Sequence, residues 1–130
     1  METIHSVETD PKLLSPLALA FVGDSVYGLL VRERLVRLAN RPANTLHNAS
    51  VKQVKASAQA QAAERILPLL TEEERSVYKR GRNAHVSGIP KGSSCGEYHK
   101  ATGLEALFGF LYLSGRTVRM QELFRLICDT

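Results

Sequence analysis

Two isolated carboxylates are the residues of this sequence whose types and placement are best suited to chemistry. Asp24 is the only charged residue within residues 16–31, and Glu105 is the only one within residues 101–115. Both segments are strongly apolar, so each is expected to form a largely buried helix. Because burying an unpaired carboxylate costs several kcal/mol, such a group is normally paired, protonated or bound to metal.

Two interpretations of these acids are open from the sequence. Each acid pairs with an arginine or lysine from another part of the chain or points out of the helical bundle. Alternatively, the two helices cross, and Asp24 and Glu105 together hold a hard divalent cation through their oxygen atoms. Magnesium held by two carboxylates and several waters is common in phosphoryl-transfer sites, where the ion activates a water nucleophile and neutralises charge on the phosphate. No Ser/His/Asp or Cys/His set stands out as a source of a side-chain nucleophile.

The elements that must position these acids are predicted to be helices, in one all-α domain spanning residues 1–130. Apolar residues recur at helical spacing, and the sequence contains neither an internal repeat nor a convincing strand. Thr71 and Glu74 form a capping-box pattern, and Gly81 is expected to end the short helix that follows. The predicted helices span about residues 16–38, 45–67, 71–80, 97–114 and 117–128.

Local spacing adds two expectations about these helices. Lys52, Lys55 and Gln59 fall together on one face of the second predicted helix. Gly28 and Gly109 lie inside helices, where glycine is less stable than alanine, so a close approach between helices is expected to explain them.

Composition and charge limit the classes of function. The 130 residues suffice for one domain with its own core, and the hydrophobic fraction of 44% is ordinary for a globular protein. The net charge is +4, and basic residues outnumber acidic ones within residues 32–65 and again within 79–100. Two basic stretches on one small domain fit a polyanionic partner, although solvated helix faces would give the same pattern.

Several other classes are disfavoured. Cys95 and Cys128 are too few for a disulfide framework or a four-ligand zinc site, and the histidines match no zinc spacing. The acidic, polar start is unlike a signal peptide, and the longest apolar segment is too short to cross a bilayer comfortably. A cytoplasmic protein without membrane contact is therefore expected.

The residues around both acids resemble a known family. Residues 21–26 (FVGDSV) look like the signature helix of ribonuclease III catalytic domains, and residues 104–113 (LEALFGFLYL) resemble their second catalytic helix. The resemblance covers about residues 12–128. It is closest to the Mini-III branch, which consists of the catalytic domain without a double-stranded-RNA-binding domain. Further segments similar to that branch are 54–60 (VKASAQA), 80–84 (RGRNA) and 102–107 (TGLEAL).

The resemblance implies a metal-dependent endoribonuclease that hydrolyses double-stranded RNA, with Asp24 and Glu105 as catalytic residues and ligands of Mg²⁺, for which Mn²⁺ can substitute. It also implies a homodimer that cuts the two strands in a staggered way and leaves 5′-phosphate and 3′-hydroxyl ends. The implied role is maturation of 23S ribosomal RNA precursors, with a ribosomal protein that shapes the substrate as a further partner. One departure is that two additional carboxylates of full-length ribonuclease III are replaced by Ala20 and Thr102.

Candidate RNA contacts lie in the basic stretches and in the loop of residues 85–96, which is rich in glycine and serine and is expected to be mobile. A basic segment leading into such a loop could reach into a groove of duplex RNA, although an ordinary solvated loop is the alternative. Phosphate contacts would make binding steeply dependent on salt. The candidates are Lys52, Lys55, Arg80, Arg82, Asn83, His85, Lys91, His99 and Lys100.

Two other classes of function remain open. A non-catalytic RNA-binding module on a degenerate nuclease fold would share the basic surface but would not need Asp24. A small helical interaction protein would use its acids structurally, so neutralising either acid would strand a partner and lower stability.

Overall fold

The computed structural model describes residues 8–84 and 94–129, which form an all-helical fold. Within these residues no strand is present, and the predicted all-α class is confirmed. Short 3₁₀ turns cover Pro11–Leu13 and Leu67–Leu69. The helices are α1 (Pro16–Leu38), α2 (Ala43–Val54), α3 (Ala56–Ile66), α4 (Glu72–Arg82), α5 (Cys95–Leu113) and α6 (Thr117–Cys128). None of these helices is long and apolar enough to cross a membrane.

Helix α5 is the centre of the core. Helices α1, α3, α4 and α6 pack around it. Every residue within 101–111 is buried except Glu105, which is half-buried. The helix is apolar on all sides because it is surrounded by other helices, as a central core helix must be. The sequence-based expectation that this segment is buried is therefore confirmed.

Helix α1 is buried on one face only. Leu19, Tyr27 and Val31 pack into the core, with the Tyr27 ring edge-on to the buried ring of Phe108. The opposite face is open to solvent, and Asp24 is exposed, so the expectation that this helix is largely buried was wrong. The reason is that no other described element covers that face. We call its exposed apolar residues the α1 stripe: Leu17, Phe21, Leu29 and Val36.

Helices α1 and α5 cross at two glycines that allow their backbones to touch. A methyl group on Gly23 would lie 1.6 Å from the carbonyl oxygen of Glu105, and one on Gly109 would lie 2.0 Å from the carbonyl oxygen of Leu19. The expected close approach at Gly109 is therefore found. Gly28 is different, because a methyl group there would meet only the flexible guanidinium of Arg32, at 2.8 Å.

The single helix predicted over residues 45–67 is in fact two helices. Lys55 is extended, with ψ of 156°, and separates α2 from α3. The break has a packing cause: α2 lies against α1, whereas α3 turns to lie against α5. It also separates three side chains that were expected on one face, because Lys52 and Lys55 are exposed while Gln59 is buried.

Helix α4 begins as predicted but ends later. The Thr71 side chain accepts a hydrogen bond from the backbone of Glu74, and the Glu74 carboxylate accepts one from the backbone of Thr71, which completes the capping box. Gly81 does not end the helix, which continues to Arg82. A methyl group on Gly81 would lie 2.7 Å from the Cβ atom of Ala106, so this glycine serves the contact between α4 and α5.

The glycine crossing generates a stability prediction. Gly109→Ala should lower the free energy of unfolding by at least about 3 kcal/mol or prevent folding, because its new methyl group would overlap backbone that cannot move away easily. Gly96→Ala is the matched control in the same helix, where a methyl group has open space around it. The control should be as stable as the parent or more stable, since alanine favours helix. Urea unfolding of both variants measures this, and equal stability would contradict the proposed crossing.

Candidate active site

The glycine crossing brings Asp24 and Glu105 together. Asp24 follows Gly23 directly, and the group that Gly23 touches is the backbone of Glu105 itself. The two side chains hydrogen-bond to each other. Asp24 faces solvent, whereas Glu105 is half-buried at the crossing. A pair of carboxyl groups therefore lies at the surface end of an otherwise apolar helix contact.

The surroundings oppose a negative charge on Glu105. Burial, followed by the charge of Asp24 and the hydrogen bond between the two groups, raises the pKa of Glu105 from 4.5 to about 8. A hydrogen bond from Gln59 acts in the opposite direction but is outweighed. Among residues 8–84 and 94–129, no lysine or arginine forms an ion pair with either acid. Pairing with a base is thus not found, whereas the other part of that interpretation, an acid that points out of the bundle, holds for Asp24.

Gln59 is a site residue that the sequence analysis missed. It is only 2% exposed, and its Nε2 atom donates to the carbonyl oxygen of Val54 at 2.8 Å. That carbonyl belongs to the last residue of α2, so the side chain bridges the α2–α3 break to Glu105. Its Oε1 atom is buried and has no hydrogen-bond partner in the described part of the chain. No sequence signal identified this role, because it depends on the unpredicted break at Lys55.

The donor set fits a hard cation with few protein ligands. No group of three or more His, Cys, Asp or Glu side chains that could hold a metal occurs in the described ranges. Two carboxylates with no base beside them still suit Mg²⁺, which retains several waters and is often held by one or two carboxylates plus phosphate oxygens. The positions of the two missing family carboxylates are filled by buried side chains. Ala20 lies in the core, and the Thr102 hydroxyl donates to the carbonyl oxygen of Tyr98 at 3.0 Å.

The candidate RNA-contacting residues of α4 and α5 lie on neighbouring elements. Arg82 lies over the ring of Tyr78, with 5.9 Å between the guanidinium carbon and the ring centre, and donates to the side chain of Asn83 at 3.2 Å. Lys100 pairs with Glu64 at 2.6 Å, and this hydrogen bond raises the pKa of Lys100. The positive charge of Arg82 is close enough to oppose that rise. Arg82, Asn83 and Lys100 thus share one part of the surface.

The remaining candidates lie in other environments. Arg80 donates to the carbonyl oxygen of Leu14 at 3.4 Å, and His99 is half-buried, with its Nδ1 atom unpartnered among the described residues. Lys52, on α2, lines a cavity together with residues of α1, α3 and α6. Lys55 is exposed at the α2–α3 break. His85 and Lys91 were also predicted to contact RNA, but both lie outside the described residues.

Comparison with known proteins assigns the fold and the sequence to one family. The model of the ribonuclease III domain matches residues 17–116. A Mini-ribonuclease 3 from Thermoanaerobacter sp. is 49% identical over 87% of this chain and 80% of its own length. One from Symbiobacterium thermophilum is 42% identical over 92% of both chains. The crystal structure of a Fusobacterium nucleatum protein superposes with a TM-score of 0.85 at 27% identity, covering 94% of this chain and 98% of the other.

The fold and the match to the family model thus identify a ribonuclease III domain. The chain belongs to the Mini-ribonuclease 3 branch of the ribonuclease III family, as its resemblance to that branch predicted. It is accordingly an endoribonuclease of double-stranded RNA, a hydrolase. Nucleases of this family generally depend on a divalent metal ion.

The position of Gln59 generates a prediction for the site. Gln59→Leu introduces an apolar side chain of similar size, which cannot donate a hydrogen bond to the carbonyl oxygen of Val54. Loss of this hydrogen bond should cost about 1–3 kcal/mol of stability. It should also slow RNA cleavage, because Glu105 loses a hydrogen bond that orients it. Gln61→Leu is the control for stability, since Gln61 is exposed two residues further along the same helix. Urea unfolding and cleavage assays measure both effects. Parental stability and cleavage rate in Gln59→Leu would disprove this role.

Proposed function

We propose that Asp24 and Glu105 are the catalytic carboxylates and together hold Mg²⁺, with Mn²⁺ as an effective substitute. The single observation that carries this proposal is the contact between the two carboxyl groups in a place without a paired base. A divalent cation would offset both the burial and the repulsion by Asp24 that raise the pKa of Glu105. When bound, the metal supplies water activation and neutralises charge on the phosphate.

The side chains around the pair have distinct tasks in this proposal. Glu105 is held in one position by its burial in α5 and by its hydrogen bond with Gln59. Asp24 faces solvent, so it leaves the open side of the pair accessible to a phosphodiester. Two protein carboxylates leave the remaining coordination positions to water and to the RNA phosphate. The substrate therefore helps to complete the site.

RNA contacts are proposed for the basic and polar residues that the sequence singled out. Arg82, Asn83 and Lys100 lie close together, and their donors suit the backbone and 2′-hydroxyl contacts by which duplex RNA is recognised. The ion pair between Lys100 and Glu64 is exposed on both sides, so a phosphate can compete for the lysine. The full set proposed to contact RNA is Lys52, Lys55, Arg80, Arg82, Asn83, His85, Lys91, His99 and Lys100.

A homodimer is proposed as the active assembly, built on the α1 stripe. An exposed apolar row on a helix that also carries a catalytic residue is a natural self-association surface. A two-fold interface would pair the same stripe from both copies. It would give two active sites per assembly, one for each strand of the duplex.

The biological substrate is proposed to be structured ribosomal RNA precursor, namely that of 23S RNA, processed in the cytoplasm. The proposal follows the relationship to bacterial Mini-ribonuclease 3 proteins. A ribosomal protein that shapes this RNA is a further proposed partner. The cuts would be staggered and would leave 5′-phosphate and 3′-hydroxyl ends. Residues 1–130 are proposed to act as one catalytic domain.

Neutralising either acid tests the proposed site. Asp24→Asn and Glu105→Gln should each abolish Mg²⁺-dependent cleavage of a long labelled RNA duplex, because each removes a charged oxygen ligand. Both variants should fold and bind RNA as the parent does, as measured by thermal unfolding and by gel shift. Glu97→Gln is the matched control, since Glu97 lies on the same helix as Glu105 and makes no ion pair in the described residues. The control should cut normally.

The outcomes of this test separate the classes of function. Loss of cleavage in both variants, with binding retained, would establish the nuclease and its two carboxylates. Binding without cleavage by the parent, with several duplexes and with Mn²⁺ as well as Mg²⁺, would identify a non-catalytic RNA-binding module. Equal cleavage by all proteins would show that the site is elsewhere.

The proposed dimer interface generates a separate prediction. Phe21 is 82% exposed in the single chain, so Phe21→Glu should leave the core intact while placing two negative charges at a two-fold contact. Sedimentation velocity should show a dimer for the parent and a monomer for the variant. Val118→Glu is the control, because Val118 is 80% exposed on α6, away from the α1 stripe. A monomeric parent, or a variant that remains dimeric, would refute this interface.

A further inference from the structure

A polar cavity lined by neither Asp24 nor Glu105 lies between α1, α6 and the α2–α3 pair. Its volume is about 230 Å³. Three basic side chains line it, and no acidic residue does. We call it the basic cavity. Its basic residues are Arg34, Lys52 and Arg65; its remaining walls include Gln53, Gln61, Ala62, Phe124 and Cys128.

None of the three basic side chains of the basic cavity forms an ion pair in the described part of the chain. Asp129, next to Cys128 in the chain, is exposed, and its charge contributes to raising the pKa of the Cys128 thiol after burial. Glu33, next to Arg34 in the chain, accepts a hydrogen bond from Arg37 at 2.8 Å. Glu64, next to Arg65, pairs with Lys100 at 2.6 Å.

Arg65 is fixed in place within this cavity. One of its terminal nitrogens donates to the carbonyl oxygen of Ile127, near the end of α6, at 2.7 Å. A guanidinium group has five N–H donors, so this bond orients the group and leaves other donors for a ligand. The cavity thus has one positioned arginine and two further cations around an open space.

We propose that the basic cavity binds a phosphate group. Guanidinium groups match phosphate oxygens through paired hydrogen bonds, and lysine adds a compact charge. The amides of Gln53 and Gln61 offer further donors. The apolar wall formed by Ala62 and Phe124 lowers the local dielectric and strengthens these interactions.

The position of the cavity allows two sources of that phosphate. Tyr27 lines the cavity and lies one helical turn from Asp24, and Ala58 lines it next to Gln59. Arg34 is further along α1, about 15 Å from Asp24 at the rise of an α-helix. An RNA strand covers that distance in a few nucleotides. The phosphate therefore comes from the RNA strand, an assignment that rests on the proposed function, or from free inorganic phosphate, which does not.

Cys128 provides a direct readout. It lines the cavity, whereas the other thiol, Cys95, is exposed at the start of α5. In a Cys95→Ser background, inorganic phosphate at constant ionic strength should slow the reaction of Cys128 with a maleimide several-fold. A bound phosphate would cover the sulfur and oppose formation of the thiolate. Adding Arg34→Gln should remove this protection. Arg125→Gln should retain the protection. This substitution also removes one positive charge, one helical turn from Cys128, but Arg125 does not line the cavity.

A second arm replaces phosphate with an RNA duplex in the presence of a metal chelator, so that no cleavage occurs. Protection by the duplex that is lost in Arg34→Gln would identify the RNA strand as the source, whether or not inorganic phosphate also protects. Protection by phosphate without protection by the duplex would identify the free ion. Three outcomes would overturn the proposal. They are equal protection by chloride and phosphate, protection that persists in Arg34→Gln, and no protection by either inorganic phosphate or the RNA duplex. Cleavage by the same preparation with Mg²⁺ reports separately on the proposed function.

Discussion

The close contact between α1 and α5 is the constraint on which the site depends. Helices packed through ordinary side chains keep their axes about 8–10 Å apart. Gly23 and Gly109 remove the side chains at the crossing, so the carbonyl oxygen of Glu105 occupies the space that a Cβ atom at position 23 would need. Because Asp24 is the next residue, the same contact sets its distance from Glu105. A side chain at either glycine would separate the carboxylates as well as the helices.

The electrostatic setting of Glu105 becomes clear when it is compared with Glu74. Glu74 is also buried, and burial alone would raise its pKa, but hydrogen bonds from Arg119 and from the backbone of Thr71 outweigh burial and lower it. Arg119 donates hydrogen bonds to both carboxylate oxygens of Glu74, at 2.8 and 2.9 Å. Burial also raises the pKa of Glu105, and there the neighbouring carboxylate of Asp24 adds to the rise instead of opposing it. The fold thus neutralises one glutamate with an arginine and gives the other no such partner, which is the setting in which we propose a bound cation.

The sequence predicted those features that depend on local pattern. The bounds of α1 and α6, the capping box at Thr71, and the singling out of Asp24 and Glu105 all follow from residue types at short spacing. The break at Lys55 was not predictable, because the helical period runs through it without interruption and only the packing of α2 and α3 on different partners requires it. The role of Gln59 depends on that break. The role of Gly81 was also not predictable, since a glycine that ends a helix and one that allows a neighbouring helix to approach look alike in sequence.

The exposed face of α1 was also not predictable from the sequence, and the reason is physical. A helix that is apolar all round is expected to be surrounded by protein, and α5 is. Residues 16–31 of α1 are apolar apart from Asp24, yet within the described residues only one face of this helix is covered. In the proposed dimer the second copy covers the other face, so the helix carrying Asp24 is packed from both sides. Its position relative to Glu105 is then held by association as well as by the glycine crossing. If the proposed dimer forms, the apolar character of α1 reflects two different contacts, one made by folding and one by assembly, which sequence alone does not distinguish.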